Sequence, residues 1–292
     1  MSSEFVVLVT GATGKLGVRT CEVLKQRGYT LRATDQKMPA DFPFELELGD
    51  LKDEFFVHRL LRGVAAVVHL GNHPNAFVGP SPQRILAENT QMNANVFQAG
   101  VQHGVRHLVF ASSVQAFLYT DFNRMGPPYR MPYLPLDGQA PCAPGPNSYG
   151  QSKEFAERML QLACGAHPQL AATSLRFPML VNEQMLHRFE SIRSLKGSWF
   201  NFHECLSHLT FEDGAELIAS CLQRTAPGYR QYFPALPIQL GGRSAADVIA
   251  EFYPDTPLRQ ERESIAELID ISEITRDLGW QPRRRIAVPL DD

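Results

Sequence analysis

Tyr149 and Lys153, in the run Tyr-Gly-Gln-Ser-Lys, are four residues apart. On a helix that spacing puts both on one face. A phenol with an ordinary pKa near ~10 is a poor base at neutral pH. A neighbouring ammonium, and a cationic ring beside it, favour the phenolate and lower that value. The ammonium is also a multi-donor suited to ribose hydroxyls. Ser113 ends an apolar segment upstream and can donate to an oxygen being oxidised or reduced. Together the three form an acid/base site for use beside a hydride carrier.

Such a site needs elements to hold both the carrier and the trio. The opening, Phe5 to Gly17 (FVVLVTGATGKLG), supplies the first. Phe5 to Thr10 reads as a strand buried on both faces, and a helix is expected from Lys15 to about Arg27. Gly11 makes the turn, Gly14 lets backbone approach a pyrophosphate, and Gly17 lets the helix pack close to the sheet. Thr13, Lys15 and Leu16 lie in the same turn and are candidate cofactor contacts. Asp35 closes a second strand, 24 residues after Gly11, where an acid takes the adenosine ribose hydroxyls and repels a 2′-phosphate. NAD is therefore expected over NADP, with Lys37 near enough to soften the preference.

Further strands are expected at Phe44 to Leu48, Val64 to Leu70, His107 to Ala111 and Ala171 to Phe177, with helices at Asp53 to Leu61, Gln83 to His103 and Tyr149 to Ala163. Strands alternating with helices imply a doubly wound, mostly parallel α/β sheet. Gly71, Asn72 and His73 would lie at its carboxyl edge, where ligands bind. Asp50 suits either the adenine edge or a turn, and His69 is read as bonded to backbone. The Asn residues of the long helix (Asn89, Asn93, Asn95) need partners if buried. Seven prolines between Gly126 and Ser148 exclude helix there, and a connection of that length suits a substrate-side loop. After residue 180 the pattern is less regular. We expect a dinucleotide-binding domain over 1–180 and a small C-terminal substrate-capping region over 181–292, interleaved with the sheet edge.

The 292 residues have 44% hydrophobic content and net charge −3. That charge offers nothing to nucleic acid or an anionic membrane. Without a membrane-length apolar run or a leader-like N-terminus, a cytoplasmic protein is expected. Its five scattered cysteines would then be reduced. The histidines and cysteines lack metal-ligand spacing, so no metal is expected.

In order along the chain, TGATGKLG, Asp35, GDL at Gly49 to Leu51, HLG at His69 to Gly71, the Asn89 helix, FASS at Phe110 to Ser113 and YGQSK resemble the extended short-chain dehydrogenases/reductases. This is the NAD-dependent epimerase/dehydratase group, with its Rossmann-type sheet. The resemblance covers roughly residues 5 to 180. It implies Tyr149 as general base/acid, Lys153 as its ribose-binding partner and Ser113 as donor to the substrate oxygen. It adds Asp50, Leu51, Leu70, Gly71, Asn89 and Phe177 to the cofactor contacts, Asn89 in a structural or relay role. Within the group the chain is most similar to uronate dehydrogenase-like members.

Val114 and Gln115 stand where those enzymes carry Asn-His after their FASS, and Pro178 follows Arg176-Phe177 where they carry Ser. Candidate substrate contacts are Asn72, His73, Ser112, Ser113, Val114, Gln115 and Tyr149. An anionic substrate would want an arginine fork, for which Arg188 and Arg193 are candidates, against the reading that they are solvated helix charges. A dehydratase would want an acid beside Ser113, and residues 114 and 115 supply none. The expected function is an NAD-dependent oxidoreductase acting on a sugar, sugar acid or other small polar alcohol or carbonyl. The alternatives are a cofactor-retaining epimerase or dehydratase and a non-catalytic dinucleotide sensor. The group often pairs subunits through the two long helices, so a homodimer is possible, with Phe97, Phe155 and Met159 serving core or interface.

Overall fold

The computed structural model describes residues 5–75, 79–119, 130–195 and 202–291. The chain opens with β1 (Val6–Thr10), α1 (Lys15–Gln26), β2 (Thr30–Asp35), β3 (Leu46–Leu48), α2 (Glu54–Leu60), β4 (Ala66–His69), α3 (Pro82–Gln102) and β5 (His107–Ser113). It continues with α4 (Ser148–Ala166), β6 (Ala171–Phe177), β7 (Met179–Val181), α5 (Glu183–Phe189), β8 (His208–Thr210) and α6 (Phe211–Cys221). The last elements are β9 (Gly228–Tyr232), β10 (Ile238–Leu240), α7 (Ala245–Phe252), α8 (Ser272–Leu278) and β11 (Ile286–Val288).

Seven strands form one parallel sheet in the order β3-β2-β1-β4-β5-β6-β9. The order reverses at β1 and β4, which leaves a crevice at their carboxyl ends. Helices cover both faces, so β1 is apolar at every position but its last. Val7 and Val9 face one core with Leu24 and Ile218. Leu8 faces the other with Val57, Val96 and Leu160. This is the doubly wound architecture that the alternation of elements predicts.

The residues after 180 do not stand apart from the sheet. They contribute β9 as its seventh strand, and α6 packs beside α1. The three-residue strands β7, β8, β10 and β11 form two small parallel pairs that local patterning left unread. The expected helices and strands are otherwise present, with ends shifted by one to three residues, and β5 runs on through Ser112 and Ser113.

Residues 126–129 of the proline-rich connection lie outside the described residues. The remainder is tied into the core: Leu134 and Leu136 are fully buried and bridge to Leu258 and Ile269. Among the described residues no helix is long and apolar enough to cross a membrane. Among the described residues no group of three or more His, Cys, Asp or Glu is placed to hold a metal. All five cysteines are free thiols.

Candidate active site

The turn from β1 to α1 is built by contacts that tolerate only glycine. Gly11 has φ +67°, and a Cβ there would lie 2.8 Å from the backbone nitrogen of Gly71. A Cβ on Gly17 would sit 2.2 Å from the Gly11 carbonyl oxygen. Helices α2 to α7 each have a side chain capping their first turn, whereas α1 starts at Gly14 with none. An uncapped positive helix end behind a glycine turn fits an anionic diphosphate.

Around it lies a cleft of about 660 Å³ lined by Gly11, Gly14, Asp35, Asp50, Leu51, Leu70, Gly71, Asn72 and His73, among others. A larger and better-enclosed hollow is not required, since open crevices at strand ends are the usual dinucleotide seat. Asp35 is part of that lining. Its Oδ2 accepts from the Thr13 amide at 3.0 Å and the Thr13 hydroxyl at 2.8 Å, while Oδ1 accepts from the Gln36 amide at 2.7 Å. Thr13 thus holds the carboxylate in place over the turn. Lys15 and Leu16 open α1, and Leu16 and Phe177 converge on Gly214. The residues present fit NAD.

Gly17→Ala should force α1 off the turn. We expect NAD affinity to fall by tenfold or more, equivalent to ~1.4 kcal/mol, in a calorimetric titration.

Helix α4 carries the acid/base pair. Asn147 caps it, its Oδ1 accepting from the amides of Tyr149 and Gly150 at 3.0 and 3.1 Å. Lys153 donates from Nζ to the Ala111 carbonyl at 2.8 Å and to Asn72 Oδ1 at 2.9 Å. The ammonium lies 4.6 Å from the Phe110 ring centroid and 5.4 Å from that of Tyr149. The Ser113 hydroxyl bonds the Tyr149 hydroxyl and accepts from the Gln115 amide at 3.1 Å. Ser113, Tyr149 and Lys153 therefore meet as their spacing predicts.

The electrostatics correct one expectation. Burial is the largest influence on Tyr149 and pushes its pKa up to about 12, opposed by the Ser113 bond and reinforced by the charge on Glu204. Burial pushes Lys153 down to about 7, against the pull of Glu157. From the protein's own groups, then, the pair is a protonated phenol beside a readily deprotonated amine. Burial of each outweighs the group that favours its charged form, Ser113 for the phenolate and Glu157 for the ammonium.

Asn72 serves Lys153 in this structure. Its Nδ2 donates to Asn93 Oδ1 at 2.9 Å, which also takes His69 Nε2 at 2.9 Å. Thr10 Oγ1 accepts from the amides of Leu70 and Gly71, so its own hydrogen goes to His69 Nδ1 at 2.7 Å. His69 is thereby fixed as the neutral Nε2–H tautomer. Its partners are side chains, not the backbone partner expected from sequence. A chain of five residues thus connects the cleft's first strand to Lys153.

Burial pushes His69 down to about 3 and His208 to about 4. Unfolded, both take up protons near pH ~6.5. Stability is therefore full above that pH and falls as pH drops below it, by about 2 kcal/mol per histidine at pH 5. Urea unfolding from pH 7 to 5 should show the fall, and His69→Gln should remove about half of the histidine part.

Asn89 accepts from the His73 amide at 2.8 Å and donates to the Ser152 hydroxyl at 3.1 Å. It ties the loop after β4 to α4. Asn95 donates to the Leu51 and Lys52 carbonyls. His73 Nε2 is bonded to Glu88 at 2.8 Å. Val114 is buried in the core. Ser112 points to the opposite side of β5 from Ser113, donating to Glu157 Oε1 at 2.6 Å. Arg188 and Arg193 are exposed, outside the cleft lining. Arg193 bonds the Glu190 carbonyl at 2.7 Å.

Two features escaped sequence reading. The first is a buried ion pair, Arg176 with Glu157, at 2.7 Å between Nη2 and Oε2 and 3.0 Å between Nε and Oε1. Arg176 Nη1 also holds the Gly138 and Ala140 carbonyls of the proline-rich connection. A lone charge in a strand otherwise free of charged residues is its only sequence signal. The second is Glu204, buried and accepting from Gln115 Nε2 at 3.2 Å. The acid that residues 114 and 115 do not supply arrives here from the C-terminal region.

Residues 7–193 match the NAD dependent epimerase/dehydratase family. The uronate dehydrogenase of Pseudomonas syringae pv. tomato is 31% identical over 156 residues, 52% of each chain. The UDP-glucose 4-epimerase of Bos taurus is 30% identical over 194 residues, 59% of this chain and 52% of that one. The chain spans about half the length of the curated relatives it matches. Among solved structures, uronate dehydrogenase from Agrobacterium tumefaciens superposes with a TM-score of 0.65 at 23% identity, over 97% of this chain and 86% of that one. UDP-glucose 4-epimerase from Bifidobacterium longum, in complex with NAD+ and UDP, gives 0.68 at 18% identity, over 96% and 94%. These two likenesses show the fold, and the family match covers both the glycine turn and the Tyr149 helix: the chain belongs to the NAD dependent epimerase/dehydratase family.

Proposed function

We propose that the protein is an NAD-dependent oxidoreductase that oxidises a hydroxyl of a small sugar-like substrate, or reduces the matching carbonyl. The observation that carries this reading is the meeting of Ser113, Tyr149 and Lys153 at the carboxyl edge of β5, beside the glycine turn. Bound NAD supplies the hydride acceptor and, on its nicotinamide ring, a positive charge. Gly11, Gly14 and Gly17 would seat its diphosphate and Asp35 its adenosine ribose. Lys153 would exchange Asn72 Oδ1 for ribose hydroxyls.

Ser113 donates to the substrate oxygen and orients the hydroxyl toward Tyr149. Tyr149 takes the hydroxyl proton during oxidation and returns it during reduction. Because burial holds the phenol protonated, it favours the proton-donating direction until positive charge enters the site. The carboxyl-edge elements after residue 180 would close over the substrate, which is the sense in which we divide the chain at 180.

The similarity to uronate dehydrogenases supports net oxidation, and the similarity to epimerases supports a second reading in which hydride returns to the sugar. A homodimer through the outer faces of α3 and α4 and a cytoplasmic location belong to the same proposal. The exposed Phe155 and Leu162 (45% and 59%) support the dimer, while Phe97 is core. The test is nicotinamide reduction with NAD or NADP across free sugars, sugar acids and small alcohols. Steady reduction that favours NAD supports the reading. Silence across the panel with bound NAD released only on denaturation would move it to the epimerase.

A further inference from the structure

Glu204 ends a short 3-10 turn (Phe202–Glu204) and is only 3% exposed. It lies in the same site as Tyr149, and three observations place it there. Its Oε1 accepts from Gln115 Nε2 at 3.2 Å. The orientation of that amide is fixed independently, because Gln115 Oε1 accepts from Asn147 Nδ2 at 2.8 Å and its backbone N–H donates to Ser113 Oγ at 3.1 Å. Gln115 therefore links three points of one site: the Ser113 hydroxyl, the cap of the Tyr149 helix and the Glu204 carboxylate. The negative charge of Glu204 also reaches the Tyr149 hydroxyl, working against its ionisation.

The backbone holds Glu204 there at a cost. Cys205 and Leu206, which follow it, both take the left-handed conformation, with φ of 56° and 57°. Neither is glycine, and side chains disfavour that region. Two such residues in succession persist only where the surroundings enforce them, and they cluster at functional sites. A buried carboxylate beside a tyrosine that must become a phenolate is poor design for the base alone. It is good design for reading a substrate, since a carboxylate accepts hydrogen bonds from hydroxyls and repels another carboxylate.

We propose that Glu204 is a specificity-determining residue of the Tyr149 site, accepting a hydrogen bond from a second substrate hydroxyl and thereby selecting a neutral polyhydroxylated sugar over its sugar acid. This rests on the oxidoreductase reading and sets the chain apart from the uronate dehydrogenases it resembles. Gln115 stands where the sequence comparison placed their His, and here it carries a carboxylate.

The test separates binding from turnover. In a Tyr149→Phe background with saturating NAD, galactose and galacturonate, then glucose and glucuronate, are titrated calorimetrically, with and without Glu204→Gln. Gln at this position keeps an acceptor for Gln115, and near-ultraviolet circular dichroism checks the fold. We expect each neutral sugar to bind at least tenfold more tightly than its acid, and Glu204→Gln to reduce that ratio at least tenfold. A ratio that Glu204→Gln leaves unchanged, a preference for the acid with Glu204 in place, or no binding of either sugar by any variant would overturn the proposal. Nicotinamide reduction by the wild-type protein with another alcohol would, in each of those cases, leave the oxidoreductase reading standing.

Discussion

Tyr149→Phe is expected to lower kcat by about 10²–10⁴-fold, the range for a removed general acid/base, while NAD binds within a few-fold of wild type. The phenol ring sits against the Lys153 ammonium and is 7% exposed, so losing the hydroxyl leaves the packing in place. What disappears is the proton path between the substrate oxygen and the pair formed by Tyr149 and Ser113. Lys153 is already engaged elsewhere, donating to Ala111 O and Asn72 Oδ1. Stopped-flow nicotinamide absorbance gives the hydride step, and calorimetry gives cofactor affinity. Substantial remaining activity would remove Tyr149 from the mechanism.

Arg176→Met is expected to destabilise the fold by about 3–5 kcal/mol, because it leaves a buried carboxylate without its partner. Arg176 and Glu157 have side chains 1% exposed, and Ser112 and the Cys142 thiol also donate to Glu157. The guanidinium also binds the carbonyls of Gly138 and Ala140 and lies 4.9 Å from the Phe117 ring centroid. Its removal frees the proline-rich connection as well as the middle of α4. Glu157 is one turn beyond Lys153, so the damage should reach the active site and lower kcat besides. Arg176→Met combined with Glu157→Leu should recover much of the stability, since no charge is then stranded. Urea unfolding of the single and double variants measures both. Equal stabilities of the single variant and wild type would show that the pair is dispensable.

The parts legible in the sequence are those in which cause and effect are close along the chain. The glycine turn is a strand, three spaced glycines and a helix within thirteen residues, and its steric reasons are all local except the approach of Gly71 to Gly11. Tyr149 and Lys153 share a helix face, and Ser113 terminates a strand whose apolar run is plain. Asn72 and Ser112 were read as substrate contacts because they fall at the carboxyl edge. In the fold they bond Lys153 and Glu157, brought near by tertiary packing.

Glu204 is 89 residues from Gln115 and sits in a stretch without helical or strand period, so nothing local marks it. The strands β7, β8, β10 and β11 are three residues each, too short for alternation to register. The ionisation of Tyr149 could not be read either. Sequence shows the neighbouring lysine, but burial, which dominates, belongs to the folded state.

In the proposed reaction Tyr149 works with NAD to remove hydride from a sugar-like substrate and release it as reduced cofactor. The most direct measurement is the stoichiometry of reduced nicotinamide formed per sugar consumed, in wild type and Tyr149→Phe. One equivalent of NADH per sugar oxidised is expected, abolished by the substitution. Sugar converted to an isomer or a dehydrated product without accumulation of NADH, or formation of NADH unchanged in Tyr149→Phe, would contradict it.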